Sequence, residues 1–255
     1  MITVSLFGNP NPFCRLSDVR NGIVLLTPSI SGTHLAMVNI YQCIKGPVYL
    51  IRPSSKTKPY HKLYNKLDLK TGPNAPLFFH THTPGSLHKF DQSNNKLILV
   101  LRDYKSWLIR MGMILKDKQM RDPIEAINNA RLHQLYYLHL QRFVEWPEEN
   151  RLFIHYEDLA KHPEQTFAKI ATFLDCKERI TEQSYQELRA IKQKSKTYYH
   201  KNIPRAGGSR SDGSGKVCYT DGIPLHELEA VDRVMRSINP TLYDEYLHCY
   251  AEKTP

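Results

Sequence analysis

Long apolar runs are missing from this 255-residue chain. No stretch approaches the ~20 consecutive apolar residues that a membrane-crossing helix needs. The opening residues, Met1 to Pro10, carry no positive charge ahead of an apolar segment, so no secretory signal is expected there. A membrane-anchored enzyme of the secretory pathway would need an anchor that these residues do not supply. Cysteine is scarce and odd in number, at five; no two are spaced C-x-x-C, and none stands in a His/Cys group with metal-ligand spacing. Cys14, Cys43, Cys176, Cys218 and Cys249 are therefore expected to be free thiols in a reducing, cytoplasmic compartment, with no metal bound. Acidic residues are also in short supply, 25 against 35 Lys plus Arg, which leaves a formal charge of +10. A surplus of that size favours an anionic partner without saying which one.

Hydrophobic residues make up 41% of the chain and aromatics 10%, enough apolar surface to offset chain entropy, so global disorder is excluded. The length suits one sizeable core, and a single domain over residues 1–255 is expected. No internal repeat is present.

Apolar runs that end in polar groups recur along the chain. Ile23-Val24-Leu25-Leu26 reads as a buried strand, followed by the loop Thr27-Pro28-Ser29-Ile30-Ser31-Gly32, then by a helix carrying Leu35, Met37, Val38, Ile40, Tyr41 and Ile44. Val48 to Ile51, Leu77 to Phe79, Lys96 to Leu101 and Leu152 to Tyr156 are further strands. Lys56 to Lys70 reads as an exposed, partly helical connection. Pro123 to Trp146 reads as one long helix with proline in its first turn, His162-Pro163 to Leu174 as another, and a last helix runs from near Pro224 to Ser237. Between them, about 192–221, lies a basic stretch expected to be a flexible loop. Strands alternating with helices imply an α/β fold, three-layered, with a mostly parallel sheet whose functional groups sit at the carboxyl ends of its strands.

Three segments carry chemistry. A strand leading through Thr27 to His34 into a helix presents backbone N–H groups and a positive helix terminus to a phosphate, with hydroxyls from Ser31 and Thr33. The same residues would also serve as an ordinary helix cap. His82, just past a strand end between Thr81 and Thr83, suits a general base for a hydroxyl acceptor; His80 suits it equally on composition, and 12 histidines in the chain leave room for a purely structural one. Arg102 emerges from the Leu97–Leu101 strand with Lys105, Ser106 and Arg110 following, a compact anion site because guanidinium matches phosphate oxygens bidentately. Its plainer alternative is a structural ion pair with Asp103. The loop from Arg205 to Lys216, with two arginines, a lysine and several glycines, reads either as a lid over phosphates or as a solvated loop.

Taken in order, these segments resemble the sulfotransferase family that uses 3′-phosphoadenosine 5′-phosphosulfate. Ser31-Gly32-Thr33-His34-Leu35 is similar to the second half of that family's Pro-Lys-Ser-Gly-Thr-Thr loop, which binds the 5′-phosphosulfate. His80-Thr81-His82-Thr83-Pro84 is similar to its Lys-Thr-His-Leu-Pro, which implies His82 as the catalytic base. Val100-Leu101-Arg102-Asp103-Tyr104-Lys105 matches the start of its 3′-phosphate site, with Arg110 where a serine is expected eight positions on and Ser106 out of register. Ile154-His155-Tyr156-Glu157-Asp158-Leu159 with Pro163 and Ile170 to Leu174 resembles its Tyr-Glu-Asp-Leu…Pro…Phe-Leu segment, the most specific match. Arg205-Ala206-Gly207 is similar to its Arg-Lys-Gly, without the usual tryptophan, and Lys216 is an alternative cation there. The resemblance implies a P-loop-type fold, the phosphosulfate nucleotide as co-substrate, Ser31, Gly32, Thr33, His34, Arg102, Arg110, Arg205 and Gly207 as its contacts, no metal, and a small-molecule, glycan or peptide acceptor. Nucleic acid is not the expected partner.

One departure stands out. Where the family's loop has a lysine, this chain has Ile30, and losing a cation at a developing anion costs about 3 kcal/mol of transition-state stabilisation by comparison with one oxyanion-hole donor. Either His34, His80 or a lysine from elsewhere compensates, or the activity is weak, altered or absent. Two other classes remain open on the residues: a P-loop-type phosphotransferase, weakened by the absence of Gly-Lys-Ser/Thr after the first strand, and a binding protein for nucleic acid or another polyanion that has the fold without the chemistry.

Overall fold

The computed structural model describes residues 16–29, 31–46, 48–51, 57–59, 75–116, 123–129, 131–202 and 223–251. Two compact units divide the chain: Met1–Val100 with Arg142–Asn202, and Leu101–Gln141 with Ile203–Pro255.

The first unit is built on a six-stranded sheet. Its strands are β1 (Ile23–Leu26), β2 (Val48–Ile51), β3 (Thr57–Pro59), β4 (Phe78–Thr81), β5 (Lys96–Leu101) and β6 (Arg151–His155), in the spatial order β3-β2-β4-β1-β5-β6. β1 lies parallel to both β4 and β5, and β2 lies parallel to β4; β3 runs antiparallel on the edge. All four residues of β1 are buried, as are those of β4, as a strand covered on both faces requires; β1 reads as an unbroken apolar run for that reason, whereas β4 ends in the buried polar residues His80 and Thr81. Helix α1 (Thr33–Ile44) packs its Ala36, Met37, Ile40 and Cys43 into a core shared with Leu25, Phe78, Ile98, Ile154, Leu159 and Phe167. The register sets Leu26 beside Thr81 and Thr81 beside Ile51, so the carboxyl ends of β1, β4 and β2 finish level, while β5 runs on past Leu99, the partner of Leu26, to Leu101. The α/β class with a mostly parallel sheet flanked by helices is thus the observed one.

The second unit is helical. Tyr104–Lys116, Pro123–Asn129 and Leu225–Ile238 are α-helices, and Leu132–Val144 begins in this unit. Buried hydroxyls tie it together. Tyr104 and Tyr243 both donate to Asp232, the latter at 2.6 Å, and Tyr137 donates to the Met235 carbonyl at 2.5 Å. Tyr136 donates to the Arg102 carbonyl at 2.5 Å, and its ring packs against Trp107 with centroids 5.3 Å apart.

Three expectations need correction. Residues 192–202, read as flexible loop, continue the helix Glu182–Asn202. The stretch from Ala190 to Asn202 holds no glycine or proline, and its lysines and glutamine are good helix formers; basic composition alone does not make a loop. Residues 203–222, with the rest of that predicted loop, lie outside the described residues. Thr57–Pro59, placed in a connection with helical character, forms edge strand β3, a position where proline is tolerated; residues 60–74 are again outside the described set. The single helix expected from Pro123 to Trp146 is two helices. Arg131 takes a left-handed φ of 50°, a conformation that interrupts a right-handed helix, after two asparagines of low helix propensity.

Exposed Arg131 gives a direct check of that break. Arg131→Gly is expected to leave stability unchanged or raise it by up to about 1 kcal/mol in urea unfolding, because glycine adopts this φ without strain; in a continuous helix the same change would cost about that amount.

Candidate functional site

The level strand ends put two segments side by side in the first unit. The Thr27 N–H donates to the Thr81 carbonyl at 3.2 Å, extending the β1–β4 pairing one step past the strand. The chain then turns, with the Ser31 N–H donating to the Pro28 carbonyl at 3.2 Å, and enters α1 through Gly32. Gly32 is required twice. Its φ of 79° is left-handed, and a Cβ there would stand 2.1 Å from a carbon of the Tyr156 ring. Glycine at this position therefore serves the loop's own conformation and its packing against Tyr156, beside the nucleotide contact that the family resemblance implies.

Thr27 is the centre of the arrangement, and sequence reasoning missed it. Its hydroxyl lies 2.8 Å from the Thr33 hydroxyl, 3.2 Å from His80 Nε2 and 3.2 Å from His82 Nδ1. A hydroxyl donates once and accepts twice, so three partners saturate it. His82 Nδ1–H also donates to the Thr27 carbonyl oxygen at 2.8 Å. A carbonyl only accepts, so the neutral ring carries its proton on Nδ1 and leaves the Nε2 lone pair as the basic nitrogen. The His80 and His82 rings meet edge to face with centroids 4.4 Å apart.

The electrostatics follow from this crowding. Burial pushes His34 down to about 4, with the neighbouring His82 adding to the shift. Burial likewise holds His80 well below the ordinary histidine value, reinforced by His82 and His34. His82 is lowered by burial too, partly offset by its bond to the Thr27 carbonyl. All three imidazoles are neutral near pH 7. Among the described residues no group of three or more His, Cys, Asp or Glu is arranged to hold a metal ion.

The loop fits an anion on its own evidence. No side chain caps the first turn of α1, since Gly32 has none to offer. The Ser31 hydroxyl is fully buried with no hydrogen-bond partner, and His80 Nδ1 is likewise buried and unpartnered. An orphaned hydroxyl at the positive end of a 12-residue helix is what a phosphate or sulfate oxygen satisfies. Ser31, Gly32, Thr33, His34 and His82, all expected from sequence, come together here.

Arg102 and Arg110 belong to the second unit. Arg102 follows β5 and is 8% exposed, and Lys105 and Ser106 are buried in the first turn of the helix Tyr104–Lys116, which also carries Arg110. The Asp103 carboxylate accepts the backbone N–H groups of Lys105 (3.1 Å) and Ser106 (3.4 Å), so Asp103 acts as the cap of that helix. Arg205 and Gly207, and the alternative cation Lys216, lie outside the described residues. The Tyr156 ring is the wall against which the loop packs.

Comparison with known proteins gives a consistent picture. A family model described as the sulfotransferase domain matches residues 23–237. Among solved structures, the mouse sulfotransferase SULT7A1 complexed with PAP superposes with a TM-score of 0.64 at 17% identity, covering 92% of this chain and 89% of that one. Retinol dehydratase in complex with androsterone and inactive cofactor PAP gives a TM-score of 0.57 at 15% identity, covering 85% and 80%. No curated protein sequence gives a significant match.

Gly32→Ala is expected to destabilise the protein by about 3 kcal/mol, combining left-handed strain with the clash against Tyr156, as measured by the midpoint of chemical unfolding. A loss below about 1 kcal/mol would show that the loop is not held as described.

Proposed function

Because the chain belongs to the sulfotransferase family, we propose that it moves a sulfuryl group from 3′-phosphoadenosine 5′-phosphosulfate to a hydroxyl or amine acceptor, with His82 as the general base. The observation that carries this reading is the Thr27 carbonyl on His82 Nδ1, which leaves Nε2 basic beside an anion-fitting loop. The bound nucleotide supplies the sulfuryl group. His82 Nε2 takes the acceptor's proton as the new O–S or N–S bond forms. The first-turn N–H groups of α1, with the Ser31 and Thr33 hydroxyls, receive the negative charge that builds on the departing 5′-phosphate. In-line displacement at sulfur asks of the protein mainly positioning and charge stabilisation. Arg102 and Arg110 are proposed for the 3′-phosphate, with Arg205 and Gly207 from the carboxyl-terminal third completing it, and residues 1–255 act as one domain. The acceptor is a small molecule, glycan or peptide. Free thiols at Cys43 and Cys176 support a cytoplasmic setting, and among the described residues no helix is long and apolar enough to cross a membrane.

A second reading, binding of a polyanion without transfer, draws on Ile30 in the lysine's place and the charge of +10. One titration separates the two. Adenosine 3′,5′-bisphosphate is expected to raise the melting temperature with or without Mg²⁺, by the equivalent of about 2.7 kcal/mol at a hundredfold excess over Kd, and His82→Ala is expected to keep that rise while losing transfer by about 10²–10⁴-fold. No rise with the bisphosphate, together with steeply salt-dependent oligonucleotide binding, would favour the second reading. Unchanged turnover in His82→Ala would remove it from the chemistry.

The pH profile provides a further check. A base works deprotonated, and burial places the His82 midpoint below the ordinary value of 6.5, so kcat/KM for the acceptor at saturating nucleotide is expected to fall only as pH drops below that value and to be level through pH 7–8. An acid limb centred above pH 7 would contradict the assignment.

A further inference from the structure

The anion-fitting loop has an unusual source of charge. From Thr27 to His34 there is no lysine or arginine, and from Phe78 to Thr83 there is none either; every residue of those two segments able to become positive is a histidine. Those histidines are His34, His80 and His82, the last two held to the Thr27 hydroxyl at 3.2 Å and to each other edge to face. The buried Ser31 hydroxyl and His80 Nδ1, both without partners, are further groups available to an anion here.

Resting on the reading of this loop as the nucleotide's phosphate site, we propose that His34 is a conditional cation: it takes one proton from solvent as the 5′-phosphate end binds, and pairs with it. The three rings divide the work by position. His82 has its Nδ1 proton committed to the Thr27 carbonyl and must keep Nε2 basic. His80 is fully buried with Nε2 bound to the Thr27 hydroxyl. His34 stands in the first turn of α1 and is only partly buried, so solvent protons reach it. A single proton is expected, because a second charge on neighbouring imidazoles is opposed by the first.

Without the anion, burial and the neighbouring rings keep His34 neutral, with its midpoint near 4, and the positive end of α1 also disfavours a cation. An anion at the same place reverses the balance, since an opposite charge within a few ångströms favours the charged form. Among the described residues, the ionisable groups that other elements turn toward α1 are His80 and His82 from the end of β4, Tyr156 against Gly32, Cys176 at Cys43 and Glu187, which pairs with Lys45 at 2.8 Å. The last two meet the far end of the helix, and His80 and His82 are groups whose charge bears on His34. Binding and protonation are then linked: lowering pH strengthens nucleotide binding by up to about tenfold per pH unit between the free and bound midpoints.

The test uses the whole chain and adenosine 3′,5′-bisphosphate. Imidazole Cε1–H NMR signals are followed from pH 5 to 8.5 with and without saturating ligand, His34 being assigned by its loss in His34→Gln. The free protein is expected to show a neutral His34 throughout, and the complex a midpoint at least two pH units higher. Calorimetry in buffers of different ionisation heat is expected to show less proton uptake in His34→Gln than in the parent protein, a difference that cancels titration of the ligand's own phosphates. Tight binding with an unshifted His34 signal, or equal uptake in the variant, would overturn the conditional cation and leave the nucleotide reading intact. No binding at any pH would overturn both.

Discussion

The level ending of β1 and β4 is the constraint from which the site follows. Because the two strands are parallel and in register, their last paired residues, Leu26 and Thr81, deliver Thr27 and His82 to neighbouring positions. The backbone bond from Thr27 to the Thr81 carbonyl locks that adjacency, and both histidine contacts of the cluster are then made across it: hydroxyl to ring at His80 and carbonyl to ring at His82. A slip of one residue would turn alternate side chains to the opposite face and dissolve both at once. The chemistry therefore depends on sheet pairing as much as on the identity of the residues.

Crowding buried imidazoles around one hydroxyl has an energetic side. Each ring is held below the ordinary histidine value mainly by burial. The unfolded chain binds protons at 6.5 and the folded chain does so only lower, so the contribution of these rings to stability is fully present above pH 6.5 and is lost as pH falls from there toward the folded midpoints. The cluster is thus built for neutral conditions, and its cost appears on acidification. An anion at the α1 terminus acts in the opposite direction, by making positive charge welcome where the fold alone excludes it.

Much of this was legible in the sequence. Ile23–Leu26, Leu77–Phe79 and Leu97–Leu101 are unbroken apolar runs because both faces of their strands are covered, and each is followed by the polar group that the sheet presents. Ser31, Gly32, Thr33, His34 and His82 were visible for that reason. What sequence hid was long-range. The spatial order β2-β4-β1-β5 is not written in chain order, so nothing local marks Thr27 as the residue facing His80 and His82. Tyr156 meets Gly32 only because β6 and its following helix return to the same face. The errors in secondary structure came from composition standing in for conformation. Lysines between Ala190 and Asn202 are helical in the absence of glycine and proline, and one left-handed residue, Arg131, divides a segment whose apolar spacing continues across the break.

The bond from His82 Nδ1 to a main-chain carbonyl has a consequence for how the protein can drift. An orienting carboxylate or hydroxyl is lost by a single codon change, and with it the identity of the basic nitrogen. A peptide oxygen is present whatever amino acid occupies position 27. The hydroxyl of Thr27 can be exchanged over generations, and the loop and His80 retuned with it, while the direction in which His82 offers its lone pair is inherited with the course of the backbone itself.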